Sequence, residues 1–281
     1  MVGGTSTDPF VLLESPRSDG WNNNSGYSDA HLRTLRSLQT VDTTKKNLIL
    51  ITSGDSNMAS VGPSAYTVVN TTVNDNLNIY DGAMYGAADP LLSSTYFPSF
   101  GTGGITAQVA DKFITATTFD RVICVPCSVG GSTTTMWAAG GVLYNRLAVV
   151  MRRLAARDIT PATTNCTFAI INQIGANEHG VLQATYQANV AQTINKAKDA
   201  GFVGRVFISQ YSRLSGSTDA TIRAAQAALV DGVTYFDGGD IDAITAVGAN
   251  VQADNTHMST AGQAAAATNY KTKMSASGAP F

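Results

Sequence analysis

The chain has 281 residues, of which 14% are charged; 18 Lys+Arg against 20 Asp+Glu leave a formal net charge of −2. This balance excludes a strongly basic nucleic-acid footprint and a polyanionic tail, and there is no run of about 18 apolar residues to span a bilayer. With 44% hydrophobic residues, the length suffices for one large domain with a sizeable core.

Residues 1–45 include the polar stretch WNNNSG and carry little apolar mass. They are expected to form an extended arm that packs on the main domain or on a partner, as in a homo-oligomer or a particle assembly. A short helix is predicted over 29–38. The first twenty residues lack a basic stretch followed by an apolar core, so no signal peptide is expected. The polar, weakly charged composition favours an extracellular or virion-associated setting.

Residues 46–281 read as the main domain. Apolar runs of strand length occur at 48–52 (LILIT), 121–126 (RVICVP), 167–171 (TFAII), 204–209 (GRVFIS) and 233–236 (VTYF), with a weaker one near 77–80. They are continuous rather than alternating, as in buried parallel strands. Helical periodicity falls between and after them, at 105–115, 142–157, 183–199, 218–230 and 260–274. This alternation predicts a three-layer α/β/α sandwich around a mostly parallel, five-stranded sheet. In such sheets ligands bind beyond the carboxyl ends of the strands.

Cys124, Cys127 and Cys166 are too few and odd in number for a disulfide framework. Cys124 and Cys127 have the CxxC spacing but lie in a predicted strand, where positions three apart face opposite sides. They are expected to be buried structural thiols. No standard metal spacing is present, so neither a metal nor a cofactor is expected.

Four polar clusters follow the strands. Ser53-Gly54-Asp55-Ser56-Asn57 permits a sharp turn that presents the Ser56 hydroxyl near helix N-terminal N–H groups; alternatively, Ser56 is a cap. In Ser128-Val129-Gly130-Gly131-Ser132, consecutive glycines let backbone N–H groups approach a substrate, or simply make a turn. Gln173-Ile174-Gly175-Ala176-Asn177-Glu178-His179 offers the Asn177 amide to a developing oxyanion or to an Asx turn. In Asp254-Asn255-Thr256-His257, the three-residue offset lets the carboxylate reach one ring nitrogen while the other faces Ser56. His179 lacks an acidic partner at that spacing. Asp237, Asp240 and Asp242 are expected to form a solvated turn rather than a glycosidase pair. Trp137, Tyr144, Tyr80, Tyr85 and Tyr211 are candidates to stack on a sugar or to fill the core.

Together and in this order, the clusters resemble the blocks of the SGNH (GDSL-like) hydrolases: GDSN at 54–57, VGG at 129–131, GANE at 175–178 and DNTH at 254–257. The similarity is closer to the carbohydrate acetylesterase branch, which includes sialate O-acetylesterase-like and acetyl xylan esterase-like proteins. GDSNM resembles that branch's GQSNM, and ICVPCSVGGSTTTMW at 123–137 resembles its VPCAVGGT…W segment. YDGAMYGAADPL at 80–91 and GGVLYN at 140–145 add to the match, which runs from about Asn47 to Met274.

The resemblance implies a flavodoxin-like hydrolase domain that removes O-acetyl groups from a carbohydrate or polysaccharide through an acyl-enzyme. Ser56 matches the nucleophile, His257 the base and Asp254 the residue that orients it. The oxyanion donors are the Ser56 backbone, Asn177 and a glycine, Gly131 in preference to Gly130. The chain departs from the branch at Asp55, where glutamine is usual, and in its third block. There Glu178 is expected to hold the loop or touch substrate; Gly130, Trp137, Gln173 and Tyr85 are further candidate substrate contacts. The alternative of another class is a non-enzymatic glycan-binding or structural particle protein on the same fold.

Overall fold

A computed structural model describes residues 33–36, 40–94 and 103–281. The LILIT run lies inside β1 (Asn47–Gly54), which is buried along its whole length. Successive side chains of a strand point to opposite faces, and both faces of β1 are apolar. Ile49 and Ile51 enter one core with Leu147, Val150, Val190 and Ile194. Leu48 and Leu50 enter another with Phe113, Ala266 and Tyr270. A strand buried on both sides belongs at the centre of a sheet covered by helices.

The remaining elements follow in chain order as β2 (Asn74–Leu77), β3 (Met84–Gly86), α1 (Thr106–Thr115), β4 (Arg121–Pro126), α2 (Thr134–Trp137), α3 (Arg146–Ala155), β5 (Cys166–Gln173), α4 (Gln183–Asp199), β6 (Arg205–Gln210), α5 (Ala220–Leu229), β7 (Tyr235–Asp240), α6 (Ile241–Thr245) and α7 (Thr260–Ala276). The described strands form one sheet in the order β3-β2-β4-β1-β5-β6-β7. Every pairing is parallel except β2 with β3. Residues of α3, α4 and α5 share the core of one face, and residues of α1 and α7 that of the other, completing the α/β/α sandwich.

The sheet has seven strands, not the predicted five. β2 was the strand that apolar patterning concealed: it reads NDNL and lies earlier than the predicted 77–80, yet it is wholly buried. Its polar side chains have internal partners. Asn74 Nδ2 donates to Asp111 Oδ1 at 3.1 Å and Asn76 Oδ1 accepts from the Leu92 N–H at 2.7 Å. Asp75 pairs with Arg36 at 3.2 Å and with Arg121. β3 has only three residues, too few for a periodic signal. β7 begins at Tyr235, later than the start of the predicted 233–236, because Asp231 Oδ1 accepts the N–H groups of Val233 and Thr234 and holds them in a turn before it. The predicted 142–157 helix starts at Arg146; Leu143 N–H instead turns back to the Met136 carbonyl at 2.8 Å.

Most of the predicted 29–38 helix lies outside the described residues. Where 33–36 are described they are extended. Leu35 bridges Tyr85 of β3 antiparallel, with hydrogen bonds of 2.8 Å from the Arg36 N–H to the Met84 carbonyl and from the Gly86 N–H to the Thr34 carbonyl. Cys124 and Cys127 are buried in opposite cores, as their spacing predicts.

Asp75 is the acceptor that joins β2, β4 and residue 36, and its side chain is 0% exposed. Removing one member of a buried ion pair costs about 3–5 kcal/mol. Both arginines keep some access to water, at 28% and 22%. Asp75→Ala is therefore expected to lower stability by about 3 kcal/mol, at the bottom of that range, measured by urea denaturation.

Candidate active site

The carboxyl end of β1 turns sharply because of Gly54. Its φ is +143°, and a Cβ there would lie 1.9 Å from the Gln173 carbonyl oxygen of β5. The adjoining strands can approach this closely only with glycine at that position. The chain then enters a single 3-10 turn, Ser56–Met58. Ser56 keeps 9% exposure while its neighbours Asp55 and Asn57 are buried at 0% and 1%. The Asp55 carboxylate faces inward and its Oδ2 accepts the N–H groups of Gly175 and Ala176 at 3.1 and 3.2 Å. This ties the serine turn to the loop that carries Asn177.

The loop before α7 supplies the histidine. Asp254 Oδ1 accepts the N–H groups of Thr256 and His257, both at 2.9 Å, and its Oδ2 lies 2.6 Å from His257 Nδ1. Partial burial pushes the Asp254 carboxyl up, but the two backbone donors and the imidazole outweigh it and hold it below the usual carboxylate range. An ionised Asp254 accepts the Nδ1 proton, which leaves Nε2 as the acceptor. Nε2 lies 2.8 Å from Ser56 Oγ.

Facing this pair is a cleft of about 150 Å³, lined by Ser56, Gly130, Gly131, Asn177 and His257 together with Val61, Ala176, Leu214 and Thr256. Gly131 has φ +73°. The Asn177 amide donates to the Ser132 carbonyl at 3.3 Å, which fixes its plane across from Ser56. The four sequence clusters thus meet at one edge of the sheet. An imidazole hydrogen-bonded to a hydroxyl, in a cleft lined by Gly131 and Asn177, is an arrangement that performs acyl transfer.

The family described as carbohydrate esterase, sialic acid-specific acetylesterase matches residues 46–276. The chain belongs to this family. Comparison with the curated proteins by sequence gives no match. Among solved structures, the esterase is similar to a protein from Arabidopsis thaliana at 20% identity and a TM-score of 0.64, over 82% of this chain and 98% of that one. A Bacillus subtilis protein is similar at 15% identity and a TM-score of 0.50, over 84% of this chain and 58% of that one. At such identities the likeness is one of fold.

Several predicted contacts of the esterase lie away from the cleft. Gln173 is 0% exposed; as the last residue of β5 it points into the sheet's other layer, where its Oε1 accepts from Tyr270 Oη. Trp137 is a core residue whose Nε1 donates to Ser132 Oγ at 2.9 Å. Tyr85 sits on the edge strand with its hydroxyl on Asp81 at 2.8 Å. Glu178 is buried and accepts from the Thr134 N–H and, at 2.9 Å, the Thr134 hydroxyl. Of its two predicted roles, it takes the loop-holding one, joining the Asn177 loop to α2.

Tyr80 and Tyr211 are buried in the two cores, and Lys196 covers the ring of Tyr144. His179 Nε2 bonds the Ser212 carbonyl at 2.7 Å. Asp240 and Asp242 are not a solvated turn: both pair with Arg223, at 2.7 and 2.8 Å. Asp242 also accepts the Ser212 and Arg213 N–H groups at 3.0 Å, which anchors the segment bearing Leu214. Val61 and Leu214 come from segments without a motif, so sequence patterning had no means of placing them. Among the described residues no group of three His, Cys, Asp or Glu converges as a metal-binding set, and no helix is long and apolar enough to cross a membrane.

Burial raises the Asp55 carboxyl from its ordinary 3.8 to about 7, against the opposing pull of the Gly175 and Ala176 N–H groups. A carboxyl with a raised folded-state pKa takes up protons on folding, so its contribution is greatest below the unfolded value and is lost as pH rises through the folded one. The melting temperature of the wild type is expected to fall relative to that of Asp55→Asn between pH 3.8 and about 7. Thermal melts across that range check it; parallel curves would contradict the assignment.

Proposed function

We propose that the esterase removes O-acetyl groups from a carbohydrate through an acyl-enzyme on Ser56. The observation that supports this reading is the Asp254–His257–Ser56 chain of hydrogen bonds, at 2.6 and 2.8 Å, opening on a cleft shared with Gly131 and Asn177. His257 Nε2 takes the hydroxyl proton as Ser56 Oγ attacks the acetyl carbonyl carbon. The tetrahedral oxyanion is held by the Asn177 amide and the backbone N–H groups of Gly131 and Ser56. When the C–O bond to the sugar breaks, the imidazolium gives its proton to the departing sugar oxygen. A water then attacks the acyl-enzyme, loses its proton to His257 and releases acetate, and Ser56 regains its proton. Asp254 holds the Nδ1 proton and stabilises the imidazolium throughout.

The cleft's size supports the acyl group. Its volume of about 150 Å³ is below the roughly 300–1,000 Å³ that encloses a drug-sized ligand. Only the ester enters, between Val61 and Leu214, and the sugar lies across the rim.

A fluorophosphonate probe is expected to label the wild type at Ser56 and to leave Ser56→Ala unlabelled. On O-acetylated polysaccharides, Ser56→Ala loses roughly 10⁴-fold or more of acetate release. Asn177→Ala loses roughly 10²–10³-fold in kcat, the effect of one oxyanion donor. Absence of labelling together with no acetate from any acetylated polysaccharide would overturn the reading. On p-nitrophenyl esters, acetate is expected to turn over faster than butyrate, and Leu214→Ala to narrow the difference.

A further inference from the structure

Asn57 follows Ser56 in the chain, and no step above uses it. It is 1% exposed, so desolvating its amide is costly unless that amide is bonded. Its Oδ1 accepts the Met258 N–H at 2.8 Å. Its Nδ2 donates to the Thr256 carbonyl at 2.9 Å and to Tyr211 Oη at 2.5 Å. Thr256 and Met258 are the residues on either side of His257. One side chain therefore grips the two peptide groups that flank the imidazole, much as a neighbouring strand would.

The loop has other anchors, and their placement differs. Gln252 N–H donates to the His257 carbonyl at 2.8 Å and Gly216 N–H to the Asn255 carbonyl at 3.0 Å. Ser215 N–H donates to Thr256 Oγ1 at 2.7 Å. These join the loop to itself and to the segment that follows β6, while Gln252 Nε2, which donates to the Met258 and Val61 carbonyls at 3.0 Å, adds a tie to the stretch after the nucleophile's turn. The Asp254–His257 pair is likewise internal to the loop, so it can be well formed wherever the loop sits. Asn57 joins the loop to the nucleophile's own 3-10 turn. Its third partner, Tyr211, is 0% exposed and is held from the end of β6, where its N–H meets Gln226 Oε1 at 2.9 Å.

We propose that Asn57 is a positioning residue for the base: it fixes the backbone of His257 relative to Ser56, so that the 2.8 Å approach of Nε2 to Oγ exists before substrate arrives. This rests on the esterase reading above. A misplacement of about 1 Å at reacting groups costs roughly 10²-fold in rate; of the three residues Asn57 bonds, only Thr256 lines the acyl cleft, so the loss falls mainly on kcat.

The test compares wild type, Asn57→Ala and Asn57→Asp. The readouts are kcat and KM on p-nitrophenyl acetate, the rate of fluorophosphonate labelling, and thermal melting. Asn57→Ala removes the grip; kcat and the labelling rate are expected to fall together by about 100-fold, with KM within about twofold of wild type. Asn57→Asp keeps an acceptor for the Met258 N–H but sets an oxygen against the Thr256 carbonyl, and a loss of about tenfold with the same split is expected. Variants that fold and retain kcat within about threefold would overturn the proposal, as would a rise in KM at preserved kcat. Failure of both variants to melt cooperatively would also overturn it, by assigning Asn57 to the fold rather than to the base. A wild type that neither labels nor hydrolyses would sink the esterase reading; one that labels, with variants labelling equally fast, sinks this proposal alone.

Discussion

The contact on which the site depends is the close approach of β1 and β5 at their carboxyl ends. Gly54 leaves no room for a side chain against the Gln173 carbonyl, so the two strands remain paired to their last residues before each chain turns away. Ser56 and Asn177 follow those ends by only a few residues. Their separation is therefore set by strand spacing rather than by loop conformation. The buried Asp55 carboxylate extends the constraint one step further by binding Gly175 and Ala176. A hydroxyl and an amide that line one small cleft suit a small tetrahedral centre.

The histidine has a different origin. It arrives on a loop far along the sequence, and the sheet does not dictate its position. Local hydrogen bonding makes the Asp254–His257 pair a self-contained unit, and contacts from its own loop and from two other segments dock that unit. Asn57, Gln252 and the Leu214 segment each contribute backbone or side-chain hydrogen bonds. Precision at Ser56 comes from the rigid sheet, and precision at His257 from polar contacts of about 3 Å that have to be satisfied together.

How much of this could be read from the sequence follows from what each signal measures. β1, β4, β5 and β6 were visible because burial on both faces leaves continuous apolar runs. α4 was read to the residue because its apolar stripe recurs at helical spacing over 17 residues. β2 was not, since Asn74, Asp75 and Asn76 are buried through side-chain partners that lie up to 48 residues away, and hydropathy cannot register a satisfied polar core. The candidate site is legible because Ser56, Gly131 and Asn177 stand in short blocks after strands, and Asp254 and His257 in a later block whose three-residue offset pairs them. Gln173 misled for a related reason: it stands in such a block, but it is still a strand residue, and the alternation of side chains turns it away from the cleft. Val61 and Leu214 carry no pattern, and only the fold brings them to Ser56.

The family's match covers residues 46–276, but the sheet extends beyond that boundary. Leu35 pairs with Tyr85 on the outer edge of β3, the Arg33 guanidinium donates to the Ala88 and Pro90 carbonyls, and Arg36 shares Asp75 with Arg121. An open strand edge is a template for further pairing; here part of that edge is occupied by the same chain. Residues 33–36, which precede the match, thus cover part of an edge that would otherwise stand open to a further strand.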